Sequence, residues 1–320
     1  MPTTVETCIT RVMKPFKVVA KDGDDLDLSV LPYPLMGTPK IDGMRCVKLN
    51  GVALTSALKQ IPNRYIRQRI HDECLDGWDG EITVGENIQD TVSAVMSIGG
   101  EPQVTWQLFD QVLAPHSYSL RTAQLHHELK QMHATGKATF AVALAQHHIN
   151  DSVACADWLA EMVKRHEGGC LRHPMGLYKN GRSTLREAGL IAIKPFVDGE
   201  VIVKGFEPEF ENSNPAFLNE RGLTQRSHAL DGMVAKDQLG ALWVEWIKVP
   251  PGLEPLPFKV TGFSQAEKRQ IWNDQQAYLG RIATIRYQAY GSKDRPRSPV
   301  FKCWRPAIDL PGVQATTPSA

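Results

Sequence analysis

The sequence contains no run of eighteen apolar residues, so no helix long enough to span a membrane is expected, and no basic-then-apolar leader between Met1 and Lys21. The chain is therefore expected to stay where it is made, in the cytoplasm. Its six cysteines, Cys8, Cys46, Cys74, Cys155, Cys170 and Cys303, include no C-x-x-C pair, which argues against a zinc site and a disulfide framework and favours reduced thiols. The pairs His126-His127 and His147-His148 lack the spacing and the cysteine partners of a metal site. An excess of one charge is missing too: the net charge is only +1, which neither asks for nor rejects a nucleic acid. Locally the balance differs, because residues 255–310 hold ten Lys or Arg against four Asp or Glu. That excess either tracks a phosphate backbone or is a solvated face.

What the chain does contain is 42% hydrophobic residues over 320 positions, enough for a substantial core, and a length that suits two domains better than one. Its most informative stretch is Lys40-Ile41-Asp42-Gly43-Met44-Arg45, which reads K-x-D-G-x-R. A lysine is protonated and poorly nucleophilic at neutral pH unless its neighbours favour the free amine. Here a carboxylate follows at two residues, a glycine that lets the backbone turn at three, and an arginine at five. Those are parts for phosphoryl chemistry, although an exposed lysine before an Asp-Gly turn gives the same letters.

Pro15, Asp22-Gly23, Pro32 and Pro34 make residues 14–36 an irregular lead-in that delivers Leu35 and Met36 to a strand. Met44 to Leu49 alternates as a strand, Asn50-Gly51 reads as a hairpin turn and Val52 to Thr55 as the return, holding Lys40 at the rim of a sheet. Pro62-Asn63 opens a helix with Ile61, Tyr65, Ile66, Ile70 and Cys74 at helical spacing, closed by Asp76-Gly77. A turn at Asp79-Gly80 runs into a strand that starts on Glu81. After a polar segment at 87–97, Val104 to Asp110 alternates as another strand, with Phe109 either core or a ring for a planar base. Amphipathic helices follow around 120–132, with a stripe of Leu120, Leu125, Leu129 and Met132, and around 155–165. The second runs out through Glu167-Gly168-Gly169 to Arg172. Leu190 to Phe196 is an apolar strand interrupted by Lys194, which either guards an edge or points into a pocket towards an anion.

From Asp198 the texture turns to short strands: Val201–Val203, Met233-Val234, Ala241–Ile247, Lys259-Val260, Arg281–Tyr287 and Val300-Phe301. One helix intervenes, opened by a capping box at Ser264 to Glu267 and stopped by Gly280. This pattern suits a five-stranded OB barrel, a fold that often binds nucleic acid. The expected fold class is α+β: antiparallel sheets with flanking helices over 1–197, then an all-β OB barrel over 198–320 with a disordered tail beyond about 306.

In order, K-x-D-G-x-R, Asp79-Gly80-Glu81, Phe109-Asp110, Glu167-Gly168, Ile193-Lys194-Pro195 and a barrel resemble the covalent nucleotidyltransferase superfamily, and within it the compact phage-type ATP-dependent DNA ligases. Gln89-Asp90-Thr91, Ser93 to Met96, Gly181 to Thr184 and Thr261-Gly262-Phe263 look like the same ligases, so the resemblance runs from about Pro15 to Arg305. It implies that 1–197 is an adenylation domain and that the protein is a monomer acting on nicked double-stranded DNA with ATP and Mg²⁺, or Mn²⁺ in its place. By that resemblance Lys40 takes AMP from ATP, and Asp42, Arg45 and Lys194 complete the catalytic set. Arg45 would hold the ribose or a phosphate oxygen, and Lys194 would contact the α-phosphate and depress the Lys40 pKa. Glu81 and Glu167 would sit near the ribose and the metal, Phe109 would stack on adenine, and Thr38 and Pro39 would meet the base edge. Arg172 ends the E-G motif as a basic nucleotide contact, and Arg297 falls near the barrel motif that orients pyrophosphate.

Three positions depart from the family pattern. Ser56-Ala57 stands where a DNA-contacting arginine is frequent, Ala192 replaces the first lysine of the last sheet motif, and Ser298 replaces an aromatic. Asp231 to Lys236 with Ile247-Lys248-Val249 imitates the last two motifs and would move the domain boundary by some fifty residues, leaving too little chain for a barrel. Rival readings are an RNA ligase, a GTP-dependent capping enzyme, or a non-catalytic OB-fold DNA binder with an inert lysine.

Overall fold

The computed structural model describes residues 9–18, 27–218, 224–227, 229–288 and 294–305, and the chain divides into two units, Met1–Pro195 and Phe196–Ala320. In chain order the first unit holds β1 (Phe16–Val18), β2 (Leu35–Pro39), β3 (Met44–Leu49), β4 (Val52–Thr55), α1 (Arg64–Glu73), β5 (Trp78–Val84), α2 (Ile88–Met96) and β6 (Val104–Gln111). It continues with α3 (Tyr118–Ala134), β7 (Ala141–Ala143), β8 (His147–Ile149), α4 (Ser152–Met162), β9 (Gly169–Arg172) and β10 (Ile191–Ile193). These strands form two five-stranded sheets, ordered β1-β10-β9-β2-β8 and β4-β3-β5-β6-β7. Because β2 belongs to one sheet and β3 to the other, residues 40–43 cross from sheet to sheet. The lead-in thus ends in a strand of its own, and Lys40 stands between two sheets rather than at the rim of one.

Local chemistry explains most of these elements. Asn50 and Gly51 both take positive φ, 49° and 75°, as a two-residue hairpin turn between β3 and β4 requires. The Asn63 side chain caps α1 by accepting from Ile66 N, and Ile66 and Ile70 turn inward. That helix stops at Glu73, short of Asp76-Gly77. The polar segment at 87–97 is helical: Asn87 caps it through Asp90 N, and Thr91 and Val95 are its buried face. The strand with the D-G-E motif starts at Trp78, so Glu81 is its fourth residue. In α3 the inner face is Tyr118, Arg121, Thr122, Leu125 and Leu129, while Leu120 is exposed. The stripe is rotated because Arg121 pairs inside with Asp110, Nε to Oδ1 at 2.7 Å. Between these helices and the second sheet lie Trp78, Trp106, Ile66, Ile70, Ile82 and Leu108, all fully buried, each contributing roughly 1.5–3 kcal/mol.

The second unit holds β11 (Val197–Asn212), β12 (Ala216–Leu218), β13 (Thr224–Arg226), β14 (Met233–Trp246), β15 (Phe258–Val260), α5 (Gln265–Asn273), α6 (Gln275–Tyr278), β16 (Ile282–Gln288) and β17 (Arg297–Arg305). Five of these strands make an antiparallel sheet ordered β15-β14-β11-β16-β17, and β12 pairs with β13 alone. The edges of the sheet meet at a single bridge, Thr261 to Val300, where Phe301 N donates to Thr261 O at 2.8 Å. Two strands are far longer than the short runs read from the sequence, with 16 residues in β11 and 14 in β14. Gly205 and Pro208 interrupt the alternation there, and both sit at register shifts that the ladder absorbs as bulges. Ser264 and Glu267 form the expected capping box, and Gly280 follows the helices with φ +77°. Lys236 lies on β14 facing Glu209 and Glu211 at 3.7 and 3.4 Å, so the imitating motif is an ion-paired part of this unit. The expected tail beyond 306 lies outside the described residues.

Candidate active site

A pocket of about 180 Å³ opens in the first unit, and Thr38, Pro39, Lys40, Arg45, Glu81, Phe109 and Arg172 line it together with Pro15, Ile41, Cys170, Leu190 and Ala192. Seven positions singled out in the sequence thus converge from β2, β3, β5, β6, β9 and the sheet-to-sheet crossing. Asp42 lies on that crossing, half-buried, and is not part of the lining. Arg297 is the first residue of β17 in the second unit.

Lys40 is fixed by three hydrogen bonds to the segment that carries Glu167. Its Nζ donates to Glu167 Oε2, while its backbone N donates to Gly168 O at 2.9 Å and its carbonyl accepts from Glu167 N at 3.1 Å. The other carboxylate oxygen of Glu167 accepts from Lys194 Nζ. Gly168 makes this possible: its φ is +146°, and a Cβ there would lie 2.1 Å from Ile193 O, next to Lys194. Glu167 is nearly inaccessible at 2%, whereas the Lys40 and Lys194 side chains are 22% and 27% exposed.

The electrostatics differ from the sequence expectation. Burial by itself would lower the Lys40 pKa, but Cys170, Glu167 and Glu81 more than offset it, and the amine is held above the ordinary lysine value. The net shift is thus upward rather than the depression expected, and the Glu167 carboxylate accepts from both ammonium groups. Burial opposes ionisation of Glu167, yet Lys40 and Lys194 hold its pKa below the usual carboxylate value. Glu81 goes the other way: burial pushes its carboxyl up to about 7 against the pull of Lys40 and Arg45.

Arg45 is already engaged. Its Nε and Nη2 fork onto the Asp79 carboxylate at 3.0 and 2.5 Å, and Nη1 donates to Met13 O at 2.5 Å. The bidentate edge assigned to the ribose or a phosphate oxygen is therefore taken by Asp79. Arg172 contrasts with it. This arginine is 2% exposed, its Nη1 reaches only the Tyr118 hydroxyl at 3.4 Å, and its Nε has no partner. Both guanidinium groups lie close to the Phe109 ring, 5.4 Å from its centroid for Arg45 and 5.1 Å for Arg172. Sequence reasoning missed Asp79 as the Arg45 anchor, although it stands in the D-G-E motif. Tyr118 and the buried pair Arg121–Asp110 beneath it left no local signal.

In the second unit the basic excess is largely neutralised. Of the ten Lys and Arg in 255–310, five meet acids of β11: Lys259 with Glu207 at 2.6 Å, Lys268 with Glu209 at 2.5 Å, Arg286 with Asp198 at 3.6 Å, Arg305 with Glu200 at 3.2 Å, and Lys302 with Asp198. A sixth, Arg281, packs over the rings of Tyr278 and Trp304 at 4.9 and 4.6 Å.

Residues 232–305 match the DNA ligase OB-like domain family. The chain has the fold of the compact ATP-dependent DNA ligases. Among solved structures, the Chlorella virus DNA ligase-adenylate is 26% identical with a TM-score of 0.53, covering 93% of this chain and 99% of that one. A Lig E DNA ligase, described as binding DNA with a minimal scaffold, is 19% identical with a TM-score of 0.60, covering 92% of this chain and 98% of that one. No curated protein matches the chain. No helix among the described residues is long and apolar enough to cross a membrane.

Within this ligase fold, the donors available to a divalent metal are few. Among the described residues no three His, Cys, Asp or Glu side chains gather into a metal-holding group. Glu81 and Glu167 each interact electrostatically with Lys40. Two carboxylates do not make a protein cage, but they fit Mg²⁺, which keeps waters and shares its sphere with substrate phosphates.

Proposed function

We propose that the protein is an ATP-dependent DNA ligase that seals nicks in duplex DNA. The observation that carries this reading is the place of Lys40, on the wall of a pocket that also presents Glu81, Phe109 and Arg172, with its amine paired to Glu167. The Lys40 amine would attack the α-phosphate of ATP, forming an N–P bond as the bond to pyrophosphate breaks, with the amine proton released. AMP would then pass to the 5′-phosphate at the nick, and the 3′-hydroxyl would displace it. Each step is an in-line displacement at phosphorus, so the protein's work is positioning and charge neutralisation.

The residues present suit these tasks. Phe109 offers an aromatic wall to a base, and Arg172 brings a buried, unpartnered Nε to the same pocket. Lys194, next to Lys40 across Glu167, provides a cation for the α-phosphate. A bound Mg²⁺ held by Glu81 and Glu167 would supply Lewis-acid neutralisation of phosphate charge. Lys40 rests as an ammonium paired with Glu167, so it must lose its proton before it attacks. Ala192 contributes a methyl to the pocket wall, which leaves Lys194 without the second lysine common in this family.

Incubation with ATP labelled at the α-phosphate, followed by denaturation, tests the reading. Label should remain on the chain, be absent in Lys40→Ala and be discharged by nicked duplex with sealing. Label from GTP only would indicate a capping enzyme, discharge by RNA ends only an RNA ligase, and no label a binding protein.

A further inference from the structure

The segment from Ile9 to Val18 precedes every motif of the proposed reaction, yet it forms part of the pocket. Pro15 lines the cavity beside Leu190 and Ala192. Its two ends belong to different sheets. Phe16 to Val18 pair in parallel with Ile191 to Ile193 of the first sheet, while Val12, fully buried, packs with Val47 and Leu49 of β3 in the second. The segment therefore crosses between the sheets, as the Lys40 crossing does.

Met13 is gripped on both of its backbone groups where this crossing occurs. Its N donates to the Tyr178 hydroxyl at 2.9 Å, and its carbonyl accepts from Arg45 Nη1 at 2.5 Å. One residue on, Lys14 N donates to Gly181 O at 2.7 Å and Lys14 O accepts from Ser183 N at 2.8 Å. Arg182 Nη1 then donates to Pro15 O at 3.1 Å. Arg45 can act as a fixed pin because Asp79, fully buried, holds its other edge. A guanidinium so held orders a backbone carbonyl at little cost in its own freedom.

We infer that residues 9–18 are a clasp that sets the spacing of the two sheets around the nucleotide, and that Arg45 and Tyr178 are positioning residues that hold it at Met13. The inference rests on the nucleotide reading of the pocket and deepens it. Arg45 then serves ATP through the wall that it fixes. Loosening the clasp widens the site without touching the attacking amine, so affinity for the nucleotide falls while the chemical step is kept.

Tyr178→Phe removes the acceptor for Met13 N from outside the pocket. In single-turnover labelling, its KM for ATP should rise about fivefold, the factor carried by one hydrogen bond of about 1 kcal/mol, at an unchanged maximal rate. Arg45→Lys, which keeps the charge and loses the fork, should raise KM by more. Thermal melts at saturating and at zero ATP establish that both variants are folded. An unchanged KM in folded Tyr178→Phe, or a lower maximal rate at the parent KM, would overturn the clasp while leaving the nucleotide reading intact. Absence of label on the parent protein would overturn that reading and this inference with it.

Discussion

Lys40 and Glu167 are joined both through their side chains and through the backbone, where Glu167 N donates to Lys40 O at 3.1 Å. The contact puts the Lys40 amine and the Glu167 carboxylate into one rigid unit. It also means that Lys40 rests protonated.

The rate of Lys40 labelling should therefore climb with pH. With its pKa held above the ordinary lysine value, the free-amine fraction grows about tenfold per pH unit across the neutral range. Initial rates at saturating ATP and Mg²⁺ between pH 6 and 8 should follow that slope. A flat profile would mean that amine deprotonation does not limit the step.

Replacing the counter-charge should be costly to activity. Glu167→Gln keeps the shape but leaves Lys40 and Lys194 without their shared carboxylate, and labelling should drop at least a hundredfold, about 3 kcal/mol. Circular dichroism should show an intact fold, and full activity would remove Glu167 from the mechanism.

Glu81 makes a separate prediction about stability. Its carboxyl is pushed up to about 7 by burial, so its folded pKa lies above the unfolded one. The stability that it contributes is complete below the unfolded pKa and is lost as pH rises through about 7. Glu81→Gln stays neutral and should match the parent at pH 4, then exceed it at pH 8 by on the order of 2 kcal/mol in urea unfolding. Equal midpoints at pH 8 would contradict the raised value.

Arg121 and Asp110 are 0% and 1% exposed, and Arg121 Nη1 also donates to the carbonyls of His116 and Gly176 at 2.7 and 3.0 Å. Arg121→Met strands a buried carboxylate and should cost about 3–5 kcal/mol in urea unfolding. Loss of less than 1 kcal/mol would show that water reaches Asp110.

The ion pairs on β11 limit how steeply salt can weaken DNA binding. With five of the ten basic residues at 255–310 already neutralised, a plot of log K against log salt for the isolated interaction should be no steeper than about −5. A slope near −9 would show that these pairs open on binding.

Where chemistry is encoded in adjacent letters, the sequence could be read. Lys40, Glu81, Phe109 and Arg172 were visible because each sits in a short motif, and the Asn50-Gly51 hairpin and the Ser264 cap because each is decided within four residues. Arg121 was not, since a buried arginine looks like a polar gap in an apolar stripe until its partner eleven residues earlier is in place. The helix at 88–96 hid behind a buried face of two residues, Thr91 and Val95. β11 outran its reading because Gly205 and Pro208 look like strand ends and are tolerated as bulges. The anchor of the Arg45 fork stayed hidden for a related reason: the motif shows that an arginine is present but not that Asp79 holds it.

Gly168 leaves its mark on thermodynamics as well as geometry. With backbone on both sides fixed by Lys40 and Ile193, the Glu167 carboxylate has surrendered its conformational freedom at folding, and an incoming ligand has little of it left to quench. A methyl group at position 168 would hand that freedom back, and calorimetry of nucleotide binding would register the change as a less favourable entropy.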